Sequence, residues 1–140
     1  MPSVKARVRR LRVVIADDHP SIRENLRYLL NAEPDLDVVG VARDGTGAVQ
    51  MSLELRPDVL VVDYDLPDHD GLSVARALRE KGFTARIVLY TLDSEVWAHA
   101  KHSRVDACVS KDAPPEVLFA SIRGSPSASA TEESAGPDGD

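Results

Sequence analysis

Aspartates close two short apolar runs in this chain: Asp17-Asp18 follows Val13-Val14-Ile15-Ala16, and Asp63-Tyr64-Asp65 follows Val59-Leu60-Val61-Val62. Thr91 ends another such run, and Ser110-Lys111 follows the last one. Carboxylates gathered within about 4 Å repel by roughly 4 kcal/mol per pair at an effective dielectric near 20, so a fold that collects them needs a counter-charge. A divalent cation supplies it. Carboxylates with a backbone carbonyl and water suit a hard ion in octahedral oxygen coordination, so Mg2+ is expected, Mn2+ can substitute, and zinc is disfavoured. A carboxylate neutralised in this way can act as nucleophile toward a phosphoryl group and become an acyl phosphate. The other residue types match that chemistry: Lys111 offers a point charge to one phosphoryl oxygen and the Thr91 hydroxyl a hydrogen bond to another.

Such residues need strand ends to hold them. From Arg12 to about Arg123, β-branched runs alternate with helix-like stretches, the rhythm of a parallel sheet covered by helices on both faces. The expected strands are Val13–Ala16, Val38–Val41, Val59–Val62, Ile87–Tyr90 and the weaker Ala107–Val109, nearly continuous in hydrophobicity as doubly covered strands are. Between them, apolar residues recur at helical spacing: Ile22, Leu26, Leu29 and Leu30; Ala48, Met51 and Leu55; Val74, Ala75 and Leu78; Val117, Leu118, Ser121 and Ile122. Pro20-Ser21, Asp70-Gly71, Asp93-Ser94 and Pro114-Pro115-Glu116 mark helix starts. The expectation is about five βα units in a doubly wound sheet, whose ligands bind beyond the carboxyl ends of the strands.

The chain has 140 residues, 43% hydrophobic, which is enough for one domain with a core. A net charge of -6 argues against direct nucleic-acid binding. No stretch is apolar and long enough to span a bilayer, and the lone Cys108 can form neither an internal disulfide nor a zinc cluster, so a cytoplasmic setting without membrane contact is expected. Residues 1–10, with Lys5, Arg7, Arg9 and Arg10, read as a solvated basic lead-in, residues 11–124 as the folded domain, and the acidic Ser/Pro/Gly-rich residues 125–140 as a disordered tail or linker.

The segments Val13-Val14-Ile15-Ala16-Asp17-Asp18-His19-Pro20, Pro57 to Gly71 and Ser110-Lys111-Asp112-Ala113 resemble the receiver domains of two-component response regulators, and the resemblance spans about Leu11 to Arg123. It implies a flavodoxin-like sheet of strand order 2-1-3-4-5. It also implies that Asp17 and Asp18 hold the metal, that Asp63 is both metal ligand and phosphoacceptor, and that Asp65 offers the ion its backbone carbonyl. Thr91 and Lys111 would bind the phosphoryl oxygens. The implied partner is a sensor histidine kinase, with a homodimer partner or a separate output domain further along the signal path. The Asp-Asp-His-Pro and Lys-Asp-Ala-Pro stretches are most similar to regulators with LuxR-type helix-turn-helix output. Self-directed phosphoryl transfer and slow loss of the phosphate are implied, not enzymatic turnover.

Four positions depart from that family. Cys108 stands where receivers commonly carry the aromatic that moves with the threonine, Arg104-Val105 replaces a Gly-Ala pair, and Asp112 replaces a proline after the lysine. These changes imply a weak or unusual switch. A phosphorylation-independent adaptor is therefore one rival. Another is a haloacid-dehalogenase-like phosphatase, whose Asp-x-Asp the Asp63-Tyr64-Asp65 stretch mimics, although Leu66-Pro67 and the mid-chain position count against it. His19 reads as a cap or border of the first helix, with contact to the site as the lesser alternative, His69 as a loop residue, Trp97 as packing or a partner contact, and Cys108 as a small buried hydrophobe.

Overall fold

The computed structural model describes residues 9–93, 95–96 and 104–124. The element order is β1 (Leu11–Ala16), α1 (Pro20–Asn31), β2 (Leu36–Ala42), α2 (Gly45–Leu55), β3 (Val59–Asp63), α3 (Gly71–Glu80), β4 (Arg86–Thr91), β5 (Ala107–Ser110) and α4 (Pro115–Arg123). All five strands pair in parallel, in the order β2-β1-β3-β4-β5. Successive side chains of a strand face opposite sides of the sheet, so each strand feeds two cores. Val14, Ala16, Leu60, Val62, Ile87 and Leu89 pack with Ala48 of α2 and Leu72, Val74, Ala75 and Leu78 of α3. Val13, Ile15, Val59, Val61, Val88 and Val109 pack on the other side with Leu26 and Leu30 of α1 and Leu118, Phe119 and Ile122 of α4. That division is why β1, β3 and β4 read as unbroken apolar runs.

Local chemistry fixes the helix starts near the strand ends. Pro20 begins α1 and Pro115 begins α4, where a missing N–H costs nothing. Asp70 caps α3 by accepting from Ser73 N at 2.8 Å, and Asp44 caps α2 by accepting from Gly47 N at 2.7 Å. The helix expected after Asp93-Ser94, with Trp97, lies outside the described residues, as do Lys5, Arg7 and residues 125–140. Among the described residues no helix is long and apolar enough to cross a membrane.

Candidate functional site

The carboxyl ends of β1, β3 and β5 bring three of the expected residues into one ion-paired group. Lys111 Nζ lies 3.1 Å from Asp17 Oδ2 and 3.1 Å from Asp63 Oδ1. Asp17 and Asp63 are almost fully buried, at 1% and 2% exposure. The backbone sets this up: Asp17 N donates to Ala42 O at 3.0 Å, and Lys111 N donates to Thr91 O at 3.0 Å, so each residue continues the ladder of its neighbour. Lys111 Nζ also stands 5.6 Å from the centre of the Tyr90 ring, a cation–π contact on its flank.

One lysine does not neutralise the group. Asp17, Asp18, His19 and Asp63 each place a ligand atom within 4.8 Å of the others, a candidate metal site. Asp63 Oδ2 and Asp18 Oδ1 are buried and accept no hydrogen bond. Burial pushes the Asp63 carboxyl above its ordinary range and the Asp17 charge adds to this, against the pull of Lys111. For Lys111 burial is the largest influence and lowers its pKa, but the charges of Asp63 and Asp17 together outweigh it and hold the ammonium above its usual value. The donor-free Asp63 Oδ2, among three carboxylates that one lysine does not neutralise, fits the hard cation that the sequence led us to expect.

The remaining expected residues sit around this group. Asp65 has an exposed side chain that is not among the clustered donors, and its N–H donates to Asp63 Oδ1 at 3.2 Å. Thr91 is 1% exposed at the end of β4, and its Oγ1 accepts from Asp93 N at 3.0 Å, which ties it to its own loop. Cys108 is buried at 2% exposure in the core shared with α2 and α3, and burial pushes its thiol up to about 12.

Two features were not read from the sequence, and a third was the lesser of two readings. His19 borders α1 at the N-cap position, without a side-chain capping bond, and it also touches the site: its Nδ1 lies 3.1 Å from Asp17 Oδ1 and 3.0 Å from Asp18 Oδ1. Its place directly after the acid pair was the available signal. Asp68 accepts from Gly45 N at 2.6 Å, Thr46 N at 2.9 Å and Thr46 Oγ1 at 2.8 Å, clamping the loop after β3 onto the start of α2. These hydrogen bonds, the Thr46 N–H first, hold its carboxyl far below the ordinary range. Gly71 brings α3 against the end of β3: a Cβ there would lie 2.6 Å from Asp63 O and 2.7 Å from Leu89 Cδ1.

Comparison with known proteins agrees with this architecture. Residues 13–123 match the response regulator receiver domain family. The nitrate/nitrite response regulator protein NarP of Escherichia coli is 38% identical over 114 residues, covering 79% of this chain and 53% of NarP. The oxygen regulatory protein NreC of Staphylococcus epidermidis is 34% identical over 116 residues, covering 81% of this chain and 53% of NreC. A crystal structure of a LuxR-family two-component response regulator from Aurantimonas sp. SI85-9A1 superposes with a TM-score of 0.77 at 27% identity, covering 89% of this chain and 96% of that one. The chain belongs to the response regulator receiver domain family. It spans about half the length of the NarP and NreC proteins that it matches.

Proposed function

We propose that this domain accepts a phosphoryl group on Asp63, from a sensor histidine kinase in the cell and from small acyl phosphates in vitro. One observation carries the proposal: Asp63 Oδ2 is a buried carboxylate oxygen with no hydrogen-bond donor, beside Asp17, Asp18 and the Lys111 ammonium. Such an oxygen is costly to keep and is free to attack. Asp17, Asp18 and Asp63 would hold Mg2+ or Mn2+, with Asp65 contributing its backbone carbonyl. The cation, when bound, neutralises carboxylates and developing phosphoryl charge. Lys111 would pair with a phosphoryl oxygen in exchange for Asp63 Oδ1, and Thr91 would donate its hydroxyl proton, which its acceptance from Asp93 N leaves free. The product is an acyl phosphate on the protein itself, and in the cytoplasmic setting expected for such a domain its output passes to a further domain or a second copy.

The test is intact-mass analysis after incubation with acetyl phosphate and Mg2+. One added phosphoryl group is expected on the wild type and none on Asp63→Asn. No added mass on the wild type with Mg2+ present overturns the proposal and favours the phosphorylation-independent adaptor. Multiple turnover of a phosphate ester favours the phosphatase.

A further inference from the structure

His19 lies against the acid pair: its backbone N–H donates to Asp17 Oδ1 at 2.8 Å, and its ring reaches the same oxygen. Its side chain is 57% exposed, it makes no capping bond, and Pro20 after it leaves no N–H to satisfy at the first helical position. Its Nδ1 nevertheless stands 3.1 Å from Asp17 Oδ1 and 3.0 Å from Asp18 Oδ1. Donors bound cis to one octahedral ion at about 2.1 Å are about 3 Å apart, and the imidazole nitrogen keeps that spacing to each of the two carboxylate oxygens. The buried Asp63 carboxylate, with its unpartnered Oδ2, lies within the same 4.8 Å group and supplies an independent sign that the cluster is built for a ligand.

We infer that His19 is a further ligand of the divalent cation and sets its selectivity, favouring ions with affinity for nitrogen, such as Mn2+ and Co2+, over Mg2+. This rests on the proposal that the acid pair holds a cation, and adds to it a nitrogen donor. Imidazole gives little to Mg2+, which prefers oxygen, and more to the later first-row ions. The competing role for the same geometry is a protonated imidazole acting as a counter-ion for Asp17 and Asp18. The two roles differ in sign. A ligand, when removed, weakens binding of the nitrogen-seeking ions, whereas a displaced counter-ion, when removed, strengthens binding of every ion alike.

Calorimetric titration of Mg2+, Mn2+ and Co2+ into the wild type, His19→Ala and Asp18→Asn separates them, with the visible spectrum of bound Co2+ as a second readout. For His19→Ala, the expected result is about tenfold weaker Co2+ binding, weaker Mn2+ binding, Mg2+ within about twofold, and a changed Co2+ spectrum. Asp18→Asn should weaken all three ions. If His19→Ala leaves the three affinities in their wild-type ratio and the Co2+ spectrum unchanged, the inference fails while the phosphoacceptor reading stands. If the wild type binds none of the three ions, both fall together.

Discussion

At the residue scale the account turns on charge that is buried faster than it is neutralised. Because burial raises the Asp63 pKa above the ordinary 3.8, the native state holds that proton more tightly than the unfolded chain does. Stability linked to Asp63 is therefore present below about pH 3.8 and falls as pH rises through the raised folded value. In EDTA, melting curves should show Asp63→Asn losing less stability than the wild type across that window, and a wild type that falls no more than the variant contradicts this. Lys111 is the opposite case, since its side chain is 12% exposed and serves two carboxylates. Lys111→Met should cost about 3 kcal/mol in EDTA by denaturant unfolding, because it leaves buried charges unpaired. Added Mg2+ should recover part of that loss. The residue types here were legible in the sequence, because an acid pair, a lone acid, a threonine and a lysine each close a strand. The His19 contact ranked second because the Asp-His-Pro stretch also reads as an ordinary helix start, and the Asp68 clamp was missed because its partners are 22 and 23 residues away.

At the element scale, Gly71 and Asp68 determine how closely α3 and the loop after β3 approach the acceptor. A Gly71→Ala side chain would meet the backbone oxygen of Asp63 at 2.6 Å, and that oxygen cannot move without moving β3. The expected cost is about 1–3 kcal/mol, measured by chemical unfolding, together with weaker Mg2+ binding. Unchanged stability and affinity would show that α3 can slide away at no cost. The Asp68 carboxyl is held far below its ordinary 3.8, so its contribution to stability is present above about pH 3.8 and is lost as pH falls toward the folded value. Asp68→Asn should lower the melting temperature at neutral pH and flatten its decline on acidification. A parallel decline for both proteins contradicts the clamp. The strands were readable because β-branched runs alternate with helix-like stretches, and their order came with the resemblance to receiver domains, whereas the start of α2 was not marked until Asp44 was seen to cap it.

At the scale of the whole molecule, two cores lock helices onto both faces of the sheet, and the ion-paired group sits where the carboxyl ends of β1, β3 and β5 meet. Cys108 fills the place of the family's moving aromatic with a buried thiol pushed up to about 12, so it should resist alkylation in the native state and react on unfolding. The same substitution predicts that beryllofluoride changes the amide shifts around Asp63 more than those of β5 and α4, as read by two-dimensional NMR. The central claim is that one carboxylate, Asp63, takes the phosphoryl group, and it is met most directly by mapping the modified residue in protein labelled with acetyl phosphate and Mg2+. A single hydroxylamine-labile phosphate on the peptide containing Asp63 is the predicted result. A phosphate mapped to a serine, threonine or histidine, or undiminished labelling of Asp63→Asn, would contradict it.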